Sequence, residues 1–189
     1  PELLSQISNE FLIKNGNHID FNNPNEKKIA LNDWEKFGPQ TEKVIKYLNS
    51  KTFVSFLERL TGIENLISDN YLEGGGLHQI NRGGFLKIHA DFNKHTSLDL
   101  DRRLNVLIYL NKDWQSEWGG DFEMWSKDVS SCIKKVSPIF NRTVVFSTTD
   151  FSYHGHPNPL MCPKGFSRKS IALYYFTDGR PTNEIQEGF

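Results

Sequence analysis

Two histidines and an aspartate stand in the sequence where they could bind one metal ion together. His89 and Asp91 are separated by one residue and follow the apolar run 85–88. Because side chains two apart on an extended strand point to the same side, both can reach one cation. A histidine from a distant strand would add a third ligand and leave other coordination positions open. His154 comes after the strand-like run 143–147 and a tight turn, where the mouth of a β-barrel would present it.

The third ligand has a second candidate. His156 lies two residues after His154 and would share its side of a strand, so spacing alone leaves both open. The position of His154 directly after the turn favours it, which leaves His156 beside the metal or facing a substrate. Two imidazoles and one carboxylate around a metal with open positions are typical of non-haem Fe(II) oxygenases. A His-x-Asp triplet alone is common by chance, and a hydrogen-bonded surface pair is its structural alternative.

An arginine and a serine further along suit the binding of an anion. Arg168 and Ser170 alternate at the start of the apolar run 171–176. A guanidinium binds a carboxylate through two parallel bonds, and a hydroxyl two residues on can add another. A charge that opens so apolar a strand must lie at the rim or beside an anion. We therefore predict an anionic cosubstrate at Arg168, with a solvated strand-end arginine as the alternative.

The elements that must position these residues are mostly strands. From Gly74 onward, short runs rich in β-branched and aromatic residues are separated by glycine, proline, asparagine or aspartate, which predicts an antiparallel barrel or sandwich. Before them, apolar spacing predicts two helices over 41–60, broken near Asn49-Ser50, with Thr52 capping the second and Gly62 ending it. Residues 1–37 are predicted to form short strands or irregular structure. The predicted β-runs are 77–81, 85–91, 103–110, 120–125, 143–147 and 169–176.

Length and charge limit the class of protein. A chain of 189 residues suits one domain over 1–189, with a helical or irregular support over 1–73 and a β-core over 74–178. The net charge of -1 gives no reason to expect nucleic acid or a membrane as a partner. The chain has no apolar run near the length of a membrane span and no leader pattern at its start, so we expect a cytoplasmic protein. The sequence leaves the oligomeric state open.

The motifs together resemble a known family. The segment LNVLIYLNKDW over 104–114, Gly119-Gly120 and the His-x-Asp, His and Arg-x-Ser series resemble the prolyl-4-hydroxylase-like branch of the 2-oxoglutarate, Fe(II)-dependent dioxygenases. The resemblance spans roughly 74–178. It implies a mainly β fold with N-terminal helices (α+β), whose core is a double-stranded β-helix, or jelly roll. It also implies Fe(II) as the metal, 2-oxoglutarate and O2 as cosubstrates, and the association with L-ascorbate known for that branch.

The resemblance assigns roles to individual residues. It makes His89, Asp91 and His154 the iron ligands. Arg168 matches the basic residue that pairs with the distal carboxylate of 2-oxoglutarate, and the hydroxyl of Tyr109 joins that pairing. Ser170 completes the anion site predicted above.

Two further positions depart from the pattern of the family. Gln79, ten residues before His89, occupies the place where prolyl hydroxylases often carry another cosubstrate-binding tyrosine. Asn105 stands where those relatives carry a threonine that lines the cosubstrate pocket. Both are predicted to bind the cosubstrate. The departure at Gln79 is a reason not to assign the relatives' substrate to this chain.

The predicted function is hydroxylation of a peptidyl residue, with proline favoured by the resemblance. One alternative is hydroxylation of a small molecule, such as a free amino acid or a sugar derivative. A second is a non-catalytic metal-binding β-barrel, although such a barrel would not need a cosubstrate anchor such as Arg168 and Tyr109. The segment 92–101, directly after the metal ligands, is either a loop that covers the substrate or a plain connection.

Overall fold

The computed structural model describes residues 2–11 and 18–185. Parts of the predicted N-terminal support (1 and 12–17) and the chain end (186–189) lie outside the described residues. The α-helices are α1 (Glu2–Glu10), α2 (Pro39–Leu48) and α3 (Lys51–Thr61). The strands are β1 (Ile19–Asn22), β2 (Lys27–Leu31), β3 (Ile67–Ser68), β4 (Gly76–Asn81), β5 (Leu86–His89), β6 (Asp101–Tyr109), β7 (Phe122–Trp125), β8 (Cys132–Val136), β9 (Thr143–Ser147), β10 (His154–His156) and β11 (Ser167–Thr177).

The strands form two antiparallel sheets. The larger has the order β1-β2-β4-β11-β6-β9, with β3 paired to β11, and the smaller has the order β5-β10-β7-β8. This confirms the predicted fold class, a mainly β protein with helices and a double-stranded β-helix core. Each of the six predicted β-runs contains a strand. The sequence patterns missed β3, β8 and β10.

Alternation along the central strands of the larger sheet separates a structural face from a chemical one. On β6, Leu104, Val106 and Ile108 join the hydrophobic core cluster that also contains helix residues Ile7, Ile45 and Leu57. The residues between them, Asn105, Leu107 and Tyr109, therefore face the smaller sheet. On β11, Ile171, Leu173 and Tyr175 lie in the same core cluster, so Arg168, Ser170 and Tyr174 share the opposite face.

The helices largely follow their sequence signals, with two corrections. The cap of α3 is Ser50 rather than Thr52, because the Ser50 hydroxyl accepts a bond from the amide of Phe53 at 3.4 Å. Gly62 ends α3 as predicted, in the left-handed conformation with φ of 72°. The second correction is α1, which lies where strands or irregular structure were expected. Its inward residue Ile7 is fully buried, so packing against the sheet stabilises a helix too short to persist alone.

Among the residues that the structure describes, no helix is long and apolar enough to cross a membrane.

Candidate metal and cosubstrate site

The pairing of β5 with β10 brings the two halves of the predicted metal site together. His89 and His154 are direct partners across this antiparallel pair, and their ring centroids lie 4.6 Å apart. Asp91 follows β5, with Oδ1 3.7 Å from Nε2 of His89 and Oδ2 3.5 Å from Nε2 of His154. One ligand atom from each residue falls within 4.8 Å of the others. The three residues predicted to bind a metal therefore form one cluster.

Backbone contacts orient both imidazoles for metal binding. Nδ1 of His89 lies 2.8 Å from the carbonyl oxygen of Lys87, and Nδ1 of His154 lies 2.9 Å from that of Ser152. A carbonyl oxygen can only accept, so both Nδ1 atoms carry the proton and donate it. In the neutral ring Nε2 then has a free lone pair, and in both residues Nε2 is the nitrogen that lies beside the carboxylate of Asp91. This outer hydrogen bond is the arrangement that fixes the tautomer of metal-binding histidines.

Asp91 is held as a carboxylate by two residues of β6. Its Oδ2 accepts a bond from the side-chain amide of Asn105 at 2.7 Å and lies 3.2 Å from a guanidinium nitrogen of Arg102. Arg102 in turn donates through Nε to Oδ1 of Asn105 at 2.9 Å. Burial alone would raise the pKa of Asp91, but the charge of Arg102, with smaller contributions from His154 and His89, holds it well below its usual range.

The donor set fits a divalent metal ion. Burial lowers the pKa of His154 to about 4, although the charge of Asp91 opposes this, so the imidazole is neutral near pH 7. Nitrogen and oxygen ligands lie roughly 2.0–2.2 Å from a divalent ion such as zinc, so two ligand atoms of one such ion are about 3 to 4 Å apart. The separations of 3.5 and 3.7 Å agree with that requirement.

The predicted anion site lies in the larger sheet, facing the metal cluster. Arg168 is buried, donates through Nε to the carbonyl oxygen of Gly120 at 2.8 Å, and donates through Nη2 to the hydroxyl of Tyr109 at 3.1 Å. Burial raises the pKa of Tyr109, so its hydroxyl keeps a proton that it can donate to a ligand. Ser170 is buried beside them, opposite Tyr109 in the sheet register. A Cβ on Gly120 would lie 2.6 Å from Leu160 and 3.1 Å from Arg168, which explains a glycine there.

Two connected cavities serve these groups. The inner cavity, of about 80 Å³, lies between the sheets and is lined by His89, Asp91 and His154 together with Arg168 and Ser170. The outer cavity, of about 590 Å³, opens to solvent and shares part of its wall with the inner one, including His89 and Asp91. Molecules from solvent can therefore reach the metal cluster through the outer cavity.

The structure corrects the prediction for Gln79. Its neighbours on β4, His78 and Ile80, line the inner cavity, and Gln79 does not. Its side-chain amide instead bonds to Asn81 at 3.0 Å. Side chains alternate along a strand, so His78 and Ile80 face the cavity and Gln79 faces the other side of the sheet. The position ten residues before His89 therefore does not face the cosubstrate site.

Asn105, which was predicted to bind the cosubstrate, lies in the wall of the inner cavity, but both ends of its amide already have partners. The amide nitrogen is bonded to Asp91 and the amide oxygen accepts from Arg102. The side chain therefore holds the carboxylate of the metal cluster. Sequence reasoning missed Arg102, the residue that completes this network. Its position three residues before Asn105, at the start of an apolar strand, was the available signal.

Three other histidines differ in whether their ring nitrogens have partners. His78 bonds through Nε2 to the carbonyl oxygen of Gly74 at 3.0 Å, and buried His95 lies between Asp69 and Glu73. Both agree with a structural role. His156 is also buried, and burial, together with the charges of Arg168 and Lys28, lowers its pKa well below the usual value.

The segment 92–101 is anchored rather than free. The amide and hydroxyl of Thr96 donate to the carboxylate of Glu73, with the hydroxyl bond at 2.7 Å. Phe92, at the start of the segment, lines the outer cavity. Only the part next to Asp91 therefore belongs to the wall of the site.

Residues 75–176 match the 2OG-Fe(II) oxygenase superfamily, and the chain belongs to it. The family uses Fe(II) and 2-oxoglutarate, and the protein is a 2-oxoglutarate-dependent dioxygenase. Its fold is similar to that of a Pseudomonas putida prolyl-4-hydroxylase, with a TM-score of 0.66 and 15% identity over 94% of this chain and 88% of that one.

Two other solved structures are similar in fold and differ in what they hold. A prolyl hydroxylase from Trichoplax adhaerens, in complex with a hypoxia inducible factor peptide fragment, has a TM-score of 0.63 and 20% identity over 94% of this chain and 80% of that one. HygX from Streptomyces hygroscopicus, with nickel, 2-oxoglutarate and hygromycin B bound, has a TM-score of 0.56 and 13% identity over 97% of this chain and 85% of that one. At these identities the likeness concerns the fold.

Proposed function

We propose that His89, Asp91 and His154 bind the Fe(II) ion, and that Arg168, Tyr109 and Ser170 bind the distal carboxylate of 2-oxoglutarate. The observation that carries the proposal is the cluster of two imidazole Nε2 atoms and one carboxylate in the same cavity as a buried arginine. A buried guanidinium with a hydroxyl beside it is matched to a carboxylate, and a metal-binding barrel without a cosubstrate would have no use for it.

Each residue has a separate task in this reaction. When bound, iron and 2-oxoglutarate supply an oxidative decarboxylation that is coupled to hydroxylation of the acceptor. Asp91 contributes the negative charge of the ligand set, and the two histidines contribute neutral nitrogens. Arg168 orients the cosubstrate from its far end.

We further propose that the acceptor is a peptidyl residue, with proline as the first candidate. The outer cavity is open, and its wall carries aromatic and basic side chains, a lining that suits an extended peptide. These side chains are Phe21, Phe92, Tyr174, Lys28 and Arg102. A small-molecule acceptor is the second candidate, because 590 Å³ is also within the usual range for small-ligand pockets.

Anaerobic binding of Fe(II) and then 2-oxoglutarate tests the site, and succinate release with peptide and small-molecule panels tests the acceptor. We expect Asp91→Ala to lose tight Fe(II) binding. Asp99→Ala is the matched control, since the Asp99 side chain, eight residues further on, is 96% exposed. Unchanged Fe(II) binding in Asp91→Ala would refute the ligand assignment. Turnover with a small acceptor and none with peptides would replace the peptidyl proposal and keep the chemistry.

A further inference from the structure

His156 is a buried side chain whose hydrogen-bonding groups have no partner among the residues that the structure describes. It is 3% exposed, and neither Nδ1 nor Nε2 makes a hydrogen bond. A buried polar group without a hydrogen-bonding partner is destabilising, so native proteins rarely contain one without a reason. The other two histidines close to it, His89 and His154, each bond to a backbone carbonyl.

The strand register and the cavity lining place His156 in the same cavity wall as the metal cluster and Arg168. On β10, His154 lies opposite Met124 of β7 and Gly155 lies opposite Glu123. His156, the next residue of β10, therefore lies towards Phe122 and the preceding Gly120. The carbonyl oxygen of Gly120 accepts the bond from Arg168. His156 shares the inner cavity with His154 and Arg168. A Cβ on Gly155 would lie 2.8 Å from backbone oxygens of Leu86 and Lys87, so β10 lies very close to the backbone of β5 at this point.

The charges around the inner cavity favour an anion beside His156. The side chains that line it include three cations, Lys28, Arg102 and Arg168, and one carboxylate, Asp91. Asp91 is already engaged by Arg102 and Asn105. A bound metal ion would add further positive charge. A neutral imidazole offers one N–H donor and one acceptor, and its N–H suits a carboxylate.

We infer that His156 is a further binding residue for the anionic cosubstrate, and that it donates an N–H to the carboxylate held by Arg168. The inference rests on the proposed function, because it takes 2-oxoglutarate as the occupant of the inner cavity. It also gives the second histidine of the His-Gly-His strand a role separate from metal binding. The hydrogen bond is made only when the cosubstrate is present, which accounts for one of the two unpaired nitrogens.

The test compares His156→Leu, which removes both nitrogens at similar size, with His156→Gln, which keeps an N–H donor. For anaerobic Fe(II)-loaded protein, His156→Leu should raise the dissociation constant of 2-oxoglutarate roughly tenfold to a hundredfold, as expected for a lost bond to a charged group. His156→Gln should stay within about threefold of the wild type, since it retains the donor. The affinity for Fe(II) alone should be unchanged in both variants, and so should the charge-transfer absorption at saturating 2-oxoglutarate.

A stability measurement separates this role from a structural one. Because the unpaired nitrogens are removed, the ligand-free His156→Leu protein should unfold at the same temperature as the wild type or higher, while its rise in melting temperature on adding 2-oxoglutarate shrinks. Wild-type affinity for 2-oxoglutarate in His156→Leu, or a loss of Fe(II) affinity equal to the loss for 2-oxoglutarate, would overturn the inference alone. A wild-type protein that binds Fe(II) and not 2-oxoglutarate would overturn the proposed function, and this inference with it.

Discussion

Replacing Asn105 with leucine should weaken metal binding more than cosubstrate binding. The side chain is 2% exposed and makes two charge-assisted bonds, at 2.7 Å to Asp91 and at 2.9 Å to Arg102. Leucine is close to asparagine in size, so the substitution mainly removes these bonds and leaves a small change in packing. The direct pair between Arg102 and Asp91 remains at 3.2 Å.

The expected size of the effect follows from those two bonds. A bond to a charged group contributes roughly 1.5–3 kcal/mol, and the remaining ion pair compensates part of the loss, so the free energy of unfolding should fall by about 2–4 kcal/mol. Loss of a residue that orients a metal ligand typically lowers metal affinity about 10- to 100-fold. At saturating metal, the dissociation constant of 2-oxoglutarate should stay within about threefold, because no hydrogen-bonding group of Asn105 is left for it.

Urea unfolding and anaerobic Fe(II) titration measure the two effects. Val106→Ala is the matched control, since Val106 is buried on the helix side of the same strand and its loss should reduce stability without touching the metal cluster. Asn105→Thr keeps one donor and should fall between the wild type and Asn105→Leu. If Asn105→Leu bound Fe(II) normally and lost affinity for 2-oxoglutarate, the positioning argument would be wrong. Asn105 would then line the cosubstrate pocket, as the family resemblance implies.

Three further substitutions test the anion site, the cap of α3 and the carboxylate of Glu10. Arg168→Ala should weaken 2-oxoglutarate binding about 10- to 100-fold with Fe(II) affinity unchanged, as measured by anaerobic titration, and equal loss of both would contradict the anion-site assignment. Ser50→Ala should lower the free energy of unfolding, measured in urea, by about 1 kcal/mol, whereas Thr52→Ala should lower it less because no cap is lost. A larger loss for Thr52→Ala than for Ser50→Ala would show that Thr52 is the cap. Glu10 accepts bonds from the amides of Gln40 and Thr41 and from the Thr41 hydroxyl, which outweigh burial and lower its pKa. Because the pKa of Glu10 is lowered in the folded state, its bonds stabilise the protein above the ordinary value of 4.5, and this stabilisation is lost as the pH falls. The free energy of unfolding of the wild type should therefore exceed that of Glu10→Gln near pH 7, and the two values should converge in acid.

The sequence predicted the parts of the fold whose patterns are long. β6 and β11 have nine and eleven residues, each with a long run that is rich in apolar, β-branched and aromatic side chains, and both were found in the sequence. β10 was missed because its three residues, His-Gly-His, carry neither alternation nor β-branched side chains. Its pairing with β5 and β7 makes it a strand, and that tertiary contact has no local signal.

The same limit explains which site residues could be predicted. His89 and Asp91 were visible because their spacing of two residues in the chain is a local pattern. Gln79 was misassigned because the family comparison counts positions, whereas the face that a side chain takes depends on strand register. Arg102 was missed because its role comes from lying beside Asp91 in space, eleven residues away in the chain.

The two sheets contribute different halves of the site. His89 and His154 belong to the smaller sheet, whereas Arg168, Tyr109 and Ser170 belong to the larger one. Asp91 is the one carboxylate that the described residues contribute to the wall of the inner cavity. It follows the smaller sheet and is held by Asn105 and Arg102 of the larger. Metal binding and anion binding therefore both depend on the same packing of one sheet against the other. This dependence explains why Asn105 and Arg102, which are placed to bind neither the metal nor the cosubstrate in the proposed scheme, are nonetheless buried at the centre of the site.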